Sequence, residues 1–144
     1  EWMISEGGNS GIFYLALENE DPIWKSAPEM QILDNERHLD ANLGNEGNRK
    51  AGSLYDMIPA DPQNAKPAGE WNQAEIMVYQ GTVVHRMNGE KVLEYHLGTD
   101  EWKEMIANSK FSEYEWFGKY REGYIGLQDH GNDVWYRNIK LKKM

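Results

Sequence analysis

The chain reads as a succession of short apolar runs separated by turn residues. Gly11-Ile12-Phe13-Tyr14-Leu15-Ala16-Leu17 is aromatic-rich and follows the turn cluster Gly7-Gly8-Asn9-Ser10, which predicts a strand. Glu29-Met30-Gln31-Ile32-Leu33-Asp34 alternates, so Met30 and Ile32 face one way and Glu29 and Gln31 the other. Residues 53–58, closed by Pro59, and residues 70–79 predict two further strands. Residues 82–87 and 91–95 flank Asn88-Gly89, the strongest local signal in the chain, because that dipeptide favours the tight turn of a hairpin. Only residues 101–110 carry helical spacing, with Trp102, Met105 and Ile106 on one face and Asp100 as the expected N-cap. Residues 123–130 and 134–141 are the closing strands. Residues 38–50 form a long polar loop, and loops of that length in compact domains often carry function. Regularly spaced strands with one short helix predict an all-β sandwich forming a single domain over residues 1–144.

The strand over 123–130 ends in polar residues. Alternation puts Ile125, Leu127 and Asp129 on one face and Gly126, Gln128 and His130 on the other. The first face is expected to join the core, which makes Asp129 structural. On the second, Gly126 is expected to leave room for Gln128 and His130. The chain has four histidines, and one at the end of a buried strand is a candidate for proton transfer, since imidazole changes charge near neutrality. The same pattern also fits a turn histidine that caps a loop.

Composition narrows the classes. The 144 residues, with six Trp, eight Tyr and three Phe, are enough for a real core and argue against disorder. A net charge of −9 disfavours nucleic acid and anionic membrane as partners, both of which recruit clustered Lys and Arg. The absence of cysteine excludes disulfides, thiolate catalysis and cysteine–zinc sites. No apolar run reaches the roughly 18 residues of a membrane span. Glu1 to Ser5 already reads as strand, so further N-terminal strands are expected to belong to this domain. His38, Asp34 and Asp40, near the long polar loop, have a spacing open to a divalent metal, although they match no strong ligand signature.

Seven stretches taken in order resemble one family. They are residues 8–14, 29–35, 51–56, 64–72 (with Asn64-Ala65-Lys66-Pro67 and Gly69-Glu70-Trp71-Asn72), 85–89, 123–131 and 135–139. Their order along nearly the whole chain is similar to that of the 3-keto-disaccharide hydrolase family. The resemblance implies a concanavalin-like jelly roll of two curved antiparallel sheets with a carbohydrate cleft on the concave face. It also implies additional strands before the first motif and export to the periplasm or beyond, with a lipid anchor through a preceding N-terminus as one form of it. One departure is Leu15, where the family often has arginine, which puts a substrate contact from that strand in doubt.

The substrates implied are glycosides whose C3 hydroxyl has been oxidised to a ketone by a partner 3-dehydrogenase. The ketone acidifies the proton on C2, so a base can remove it and the C1 substituent leaves by elimination. Water then adds. This chemistry needs a base, an enolate stabiliser and an acid for the leaving group. His130 is a candidate base. Glu29 is a candidate base or acid if burial raises its pKa. Tyr55 is a candidate donor to the leaving oxygen, and Lys66 or Arg137 a candidate cation for the enolate. Gln31, Gln128 and His38 are expected substrate contacts, the amides because they both donate and accept. Trp71 and Trp135 suit stacking on a sugar, though large aromatics on strands more often serve the core.

Alternatives stay open. By alternation alone, Glu29 and Gln31 also read as a solvated sheet face, and His85, ahead of the hairpin turn, as a cross-strand partner. A carbohydrate-binding module on the same fold needs stacking aromatics and hydroxyl partners but no proton-transfer set. A conventional glycosidase needs two carboxylates. The pattern E-x-D-x-x-E of concanavalin-like glucanases is missing, because Gln31 stands where its first Asp would fall.

Overall fold

In the computed structural model, which describes residues 1–144, the chain forms β1 (Trp2–Ile4), β2 (Asn9–Ala16), β3 (Glu29–Leu33), β4 (Ala74–Tyr79), β5 (Thr82–Met87), β6 (Glu90–His96), helix α1 (Asp100–Ala107), β7 (Tyr124–Leu127) and β8 (Val134–Tyr136). The strands make three antiparallel sheets, in the orders β1-β8, β3-β2-β7 and β4-β5-β6. The fold is an all-β sandwich with one short helix, as the strand pattern predicts.

Several boundaries differ from the sequence expectation, each for a local reason. Residues 53–58 are not a strand. The chain turns back at Asp56, in the left-handed region at φ 61°, and Leu54 N donates to Ile58 O at 3.0 Å. The segment still closes the outer edge of β3: Gln31 N donates to Ser53 O, Gly52 N to Gln31 O and Tyr55 N to Glu29 O. Helix α1 is capped by Thr99, whose Oγ1 accepts from Trp102 N at 3.1 Å, and Asp100 is its first residue. The helix stops at Ala107, short of residue 110. The last strand ends at Tyr136, where its pairing with β1 runs out, so Ile139 and Leu141 lie exposed.

The core runs between the β3-β2-β7 and β4-β5-β6 sheets. Met30 and Ile32, which alternation puts on one face of β3, are fully buried, together with Trp2, Leu54, Val83 and Met87. Leu15 joins this core at a bulge in the β2–β7 pairing, with φ 56°. Leu15 does not line the cavity described below. A polar chain crosses the core. His85 is wholly buried, and its Nδ1 lies 3.0 Å from Gly52 O. A carbonyl can only accept, so Nδ1 carries the proton. Nε2 then accepts from Tyr14 OH at 2.7 Å, which in turn accepts from Tyr95 OH at 2.7 Å. Each polar side chain of this His85–Tyr14–Tyr95 series thus finds a partner.

Beyond α1, aromatic stacking fixes the return of the chain. Trp102 stacks on Tyr95 at 4.7 Å and donates from Nε1 to Gly118 O at 2.9 Å, while Phe111 stacks on Phe117 at 4.1 Å. These contacts hold residues 110–118 beside β3 and its neighbouring turns.

Burial lowers the pKa of His85 to about 4 from an ordinary value of 6.5. Between those values the unfolded chain takes up a proton that the folded one refuses. The stability that neutral His85 provides is therefore complete above pH 6.5 and is lost as pH falls towards 4, amounting to roughly 3 kcal/mol. Urea unfolding of the protein and of His85→Gln across this range is expected to show that fall in the parent relative to the variant. Parallel pH profiles would refute it.

Candidate active site

The β3-β2-β7 sheet carries the site on the face away from Met30 and Ile32. Register pairs Gly11 with Gln31, Phe13 with Glu29, and Phe13 with Gly126, so these residues share one face. Over it opens a cavity of about 580 Å³ lined by Asn9, Trp24, Glu29, Gln31, Asp40, Tyr55, Lys110, Phe111, Tyr114, Gln128, Asp129 and His130.

Glu29 sits at the base of the cavity, 7% exposed. Its carboxyl occupies the space that a side chain on Gly11 would fill: Cδ and Cγ lie 2.8 Å and 2.9 Å from the point where a Cβ would stand. A glycine opposite β3 is thus the condition for burying this carboxyl. It makes no hydrogen bond to protein. Burial raises its pKa to about 8, with the Lys110 charge opposing and the Asp40 charge adding to the rise. Gln31 is 1% exposed and donates from Nε2 to Arg49 O at 3.1 Å, while its Oε1 has no partner. Asn9 Oδ1, also buried, has none either. Two unpartnered buried acceptors, Gln31 Oε1 and Asn9 Oδ1, beside a carboxyl with no protein partner call for a polar ligand.

The end of β7 is tied down by its backbone. Gln128 N donates to Gly11 O at 2.9 Å, Ser10 Oγ donates to Gln128 O at 2.7 Å, and Asp129 Oδ1 accepts from Gly131 N at 2.9 Å. Gln128 lies half-buried beside β2, and His130 stands at the exposed rim. Glu29 and His130 line one cavity without a hydrogen bond to each other.

Tyr55 enters from the turn beyond β3. Its OH donates to Asp40 Oδ2 at 3.1 Å, and burial followed by the Asp40 charge pushes its pKa well above the ordinary range. Asp40 Oδ1 accepts from Arg49 Nη1 at 3.0 Å, and Arg49 Nε donates to Asp56 Oδ1 at 2.6 Å. Lys110 Nζ donates to Tyr55 OH at 3.1 Å and lies 4.2 Å from the centre of the Tyr55 ring. Burial of its ammonium end lowers the Lys110 pKa, with nearby Asp56, Asp40 and Glu29 opposing that shift and Arg49 adding to it.

Of the expected site residues, Glu29, Gln31, Tyr55, Gln128 and His130 come together here, and Lys66, Arg137 and His38 do not. Lys66 is exposed in the loop before Asn72 and meets that residue through its backbone. The Arg137 guanidinium lies 3.8 Å over Trp71 and pairs with Glu1 at 3.0 Å, which commits both Arg137 and Trp71 away from the cavity. Trp135 is also outside it. His38 Nδ1 accepts from Asp40 N at 3.1 Å and so caps the 3-10 turn Leu39–Asn42. Asp34 is held by Gly7 N, Glu36 N and Arg37. Burial acts to raise its pKa, but these bonds outweigh that and keep it below the ordinary value. His38, Asp34 and Asp40 therefore point to separate partners, and no group of three or more such side chains forms a metal site.

The β7 alternation holds in direction but not in burial. Leu127 pairs with Ile12 on the core side, yet it is 46% exposed and Ile125 59%, because β7 is the outer strand of its sheet. Gly126 makes room for Ile23 rather than for the polar residues. Asp129 lines the cavity and not the core. Trp24, Lys110, Phe111, Tyr114 and Asn9 were not anticipated. Gly11, inside a strand pattern, was the one readable sign of a close approach.

Sandwich and cleft together define a β-sandwich protein with a polar cavity that holds a buried carboxyl. The chain belongs to the 3-keto-alpha-glucoside-1,2-lyase-like domain family, whose model matches residues 1–142. It is 56% identical over 162 residues to a 3-keto-disaccharide hydrolase of Bacteroides thetaiotaomicron, an alignment that takes in 99% of this chain and 56% of that protein. The chain therefore spans little more than half the length of that relative. Two crystal structures of candidate glycosyl hydrolases from Parabacteroides distasonis are similar. One has a TM-score of 0.81 at 28% identity, over 92% of this chain and 64% of that one. The other has a TM-score of 0.75 at 25% identity, over 99% and 75%. No helix is long and apolar enough to cross a membrane.

A raised carboxyl pKa also has a thermodynamic sign. Folded Glu29 keeps a proton that the unfolded chain gives up between pH 4.5 and about 8, so stability is lost as pH rises through that window. Compared with Glu29→Gln, the parent is expected to lose up to roughly 4 kcal/mol between pH 4.5 and 8 in urea unfolding. An unchanged difference between the two would mean that Glu29 is ionised in the folded state.

Proposed function

We propose that this domain cleaves the glycosidic bond of 3-keto-glycosides by elimination across C1–C2 followed by hydration. His130, at the open rim, takes the C2 proton. The C2–H electron pair becomes the C2=C3 bond and the carbonyl pair moves to O3, giving an enolate. The O3 pair then returns, a C1=C2 bond forms, and the C1–O bond breaks with its electrons on the aglycone oxygen. Glu29, protonated at neutral pH, donates to that oxygen. The resulting carboxylate is then placed to activate the water that adds its hydroxyl to C1 and a proton to C2. No net oxidation occurs, so the ketone must come from a preceding oxidation of the C3 hydroxyl by a dehydrogenase.

The observation that carries this reading is the buried, unpartnered Glu29 carboxyl with its pKa raised to about 8, facing a cavity that also holds Gln128 and His130. A binding module has no use for such a group. Gln31 Oε1 and Asn9 Oδ1 suit sugar hydroxyls as donors to them, and Trp24, 43% exposed, offers a ring to a sugar face. Tyr55 supports positioning rather than proton donation, since its one proton is committed to Asp40. An exported location fits a glycoside scavenger and follows the family resemblance alone.

With a 3-keto-glucoside and the matching glucoside as substrates, aglycone release is expected from the keto form alone. His130→Ala and Glu29→Gln should each lower kcat by about 10² to 10⁴. The kcat of the parent should fall about tenfold per pH unit above pH 8, as Glu29 loses its proton. Cleavage of the plain glucoside would point to two-carboxylate hydrolysis, and sugar binding without cleavage of either substrate would leave a binding module.

A further inference from the structure

The elimination generates negative charge on O3, and the expected cations Lys66 and Arg137 lie outside the cavity. We propose that Lys110 is a catalytic residue of this cleft: its ammonium donates to O3 of the keto-sugar and holds the charge of the enolate, and Tyr55, braced by Asp40 and Arg49, positions it. This inference rests on the elimination reading above and names the group that stabilises its intermediate.

Lys110 is the one Lys or Arg among the cavity-lining residues. It forms no close ion pair, although Glu29, Asp40 and Asp56 all act on it at longer range. One of its three N–H groups goes to Tyr55 OH at 3.1 Å, and the other two remain for a ligand. Direction is fixed by a chain of bonds. Asp56 and Asp40 both hold Arg49, Asp40 takes the phenol proton of Tyr55, and the phenol oxygen is left as an acceptor for Lys110. The rings of Tyr55 and Phe111, 4.2 Å and 5.5 Å from Nζ, replace water beneath the ammonium. A preorganised cation with water displaced from one side stabilises a developing oxyanion without reorganising when the charge forms. With Glu29 protonated, the formal charges of Arg49, Lys110, Asp40 and Asp56 cancel, while the Asp129 carboxylate on the cavity wall has no cationic partner, so an enolate at O3 depends on Lys110 for its positive charge.

The test is steady-state turnover of a 3-keto-glucoside by the parent protein, Lys110→Met, Lys110→Arg and Tyr55→Phe, with exchange of the C2 proton for deuterium followed in parallel. Lys110→Met is expected to lower kcat by about 10² to 10³ and to suppress the exchange equally, with KM shifted only a few-fold. Lys110→Arg should recover part of both rates, and Tyr55→Phe should fall between parent and Lys110→Met. A purely structural lysine would change melting temperature without selective loss of exchange. Retention of parental kcat in Lys110→Met, in a parent that cleaves the keto-sugar, would overturn the role of Lys110 and leave the elimination standing. A parent that releases no aglycone from the keto-sugar would overturn the elimination and this proposal with it. Treatment with borohydride during turnover is expected to leave Lys110 unmodified. A reduced-sugar adduct on it would replace charge stabilisation by an imine to C3.

Discussion

The site depends on one steric permission. β3 is buried on both faces, Met30 and Ile32 against the core and Glu29 and Gln31 against the cleft floor. A carboxyl can lie flat on the neighbouring strand only where that strand has no side chain, and Gly11 provides the gap. The consequence is chemical. A carboxyl largely withdrawn from water and without a protein donor favours its neutral form, and the pKa of about 8 follows from that position. The same arrangement that suits Glu29 to its proposed role as an acid costs the fold stability at higher pH, as is common where function requires a group that a purely structural design would avoid.

Support for this floor comes from behind and from the side. Behind it, Tyr14 of β2 is pinned to β5 and β6 through His85 and Tyr95. The sheet bearing the cleft is therefore bonded across the core and not simply packed there. On the outer side, residues 52–55 pair with β3 by backbone hydrogen bonds, and the same short segment delivers Tyr55 into the cavity. The edge of β3 is thus closed and furnished by one turn. From the other end of the chain, the Trp102–Phe117–Phe111 stack fixes the loop that carries Lys110. Three regions far apart in sequence converge because each is anchored by packing outside the site itself.

This also explains what the sequence could and could not reveal. Period-two patterns and Asn88-Gly89 report local geometry, so β2, β3 and the β5–β6 hairpin were legible, along with the sides of the strand holding Glu29 and Gln128. Whether a face is wet or dry is a tertiary fact. Glu29 and Gln31 read equally as a solvated face, while Ile125 and Leu127 read as core and are half exposed at an outer strand. Lys66 and Arg137 looked suitable by charge alone. Nothing local distinguished them from Lys110, whose place is set by aromatic stacking some residues away. The turn at residues 53–58 misled for a related reason, since β-rich composition does not reveal that the backbone reverses at Asp56 in a left-handed conformation.

Lys110 is the one Lys or Arg in a cleft that also holds Asp40 and Asp129, within a protein that carries −9 overall. A field of that sign would oppose an anionic ligand, but the keto-sugar of the proposed reaction is neutral on entry and its products are neutral on leaving. In the proposed elimination the anion exists only between proton abstraction and loss of the aglycone. It therefore needs stabilisation only within the cavity, where a single cation at contact distance outweighs surface charges that solvent and salt screen over about 10 Å. A basic surface would add nothing to this chemistry and would attract polyanions. An acidic exterior around a cleft whose one ammonium is held by Tyr55 separates the two requirements, with positive charge placed where the proposed elimination would transiently create its opposite.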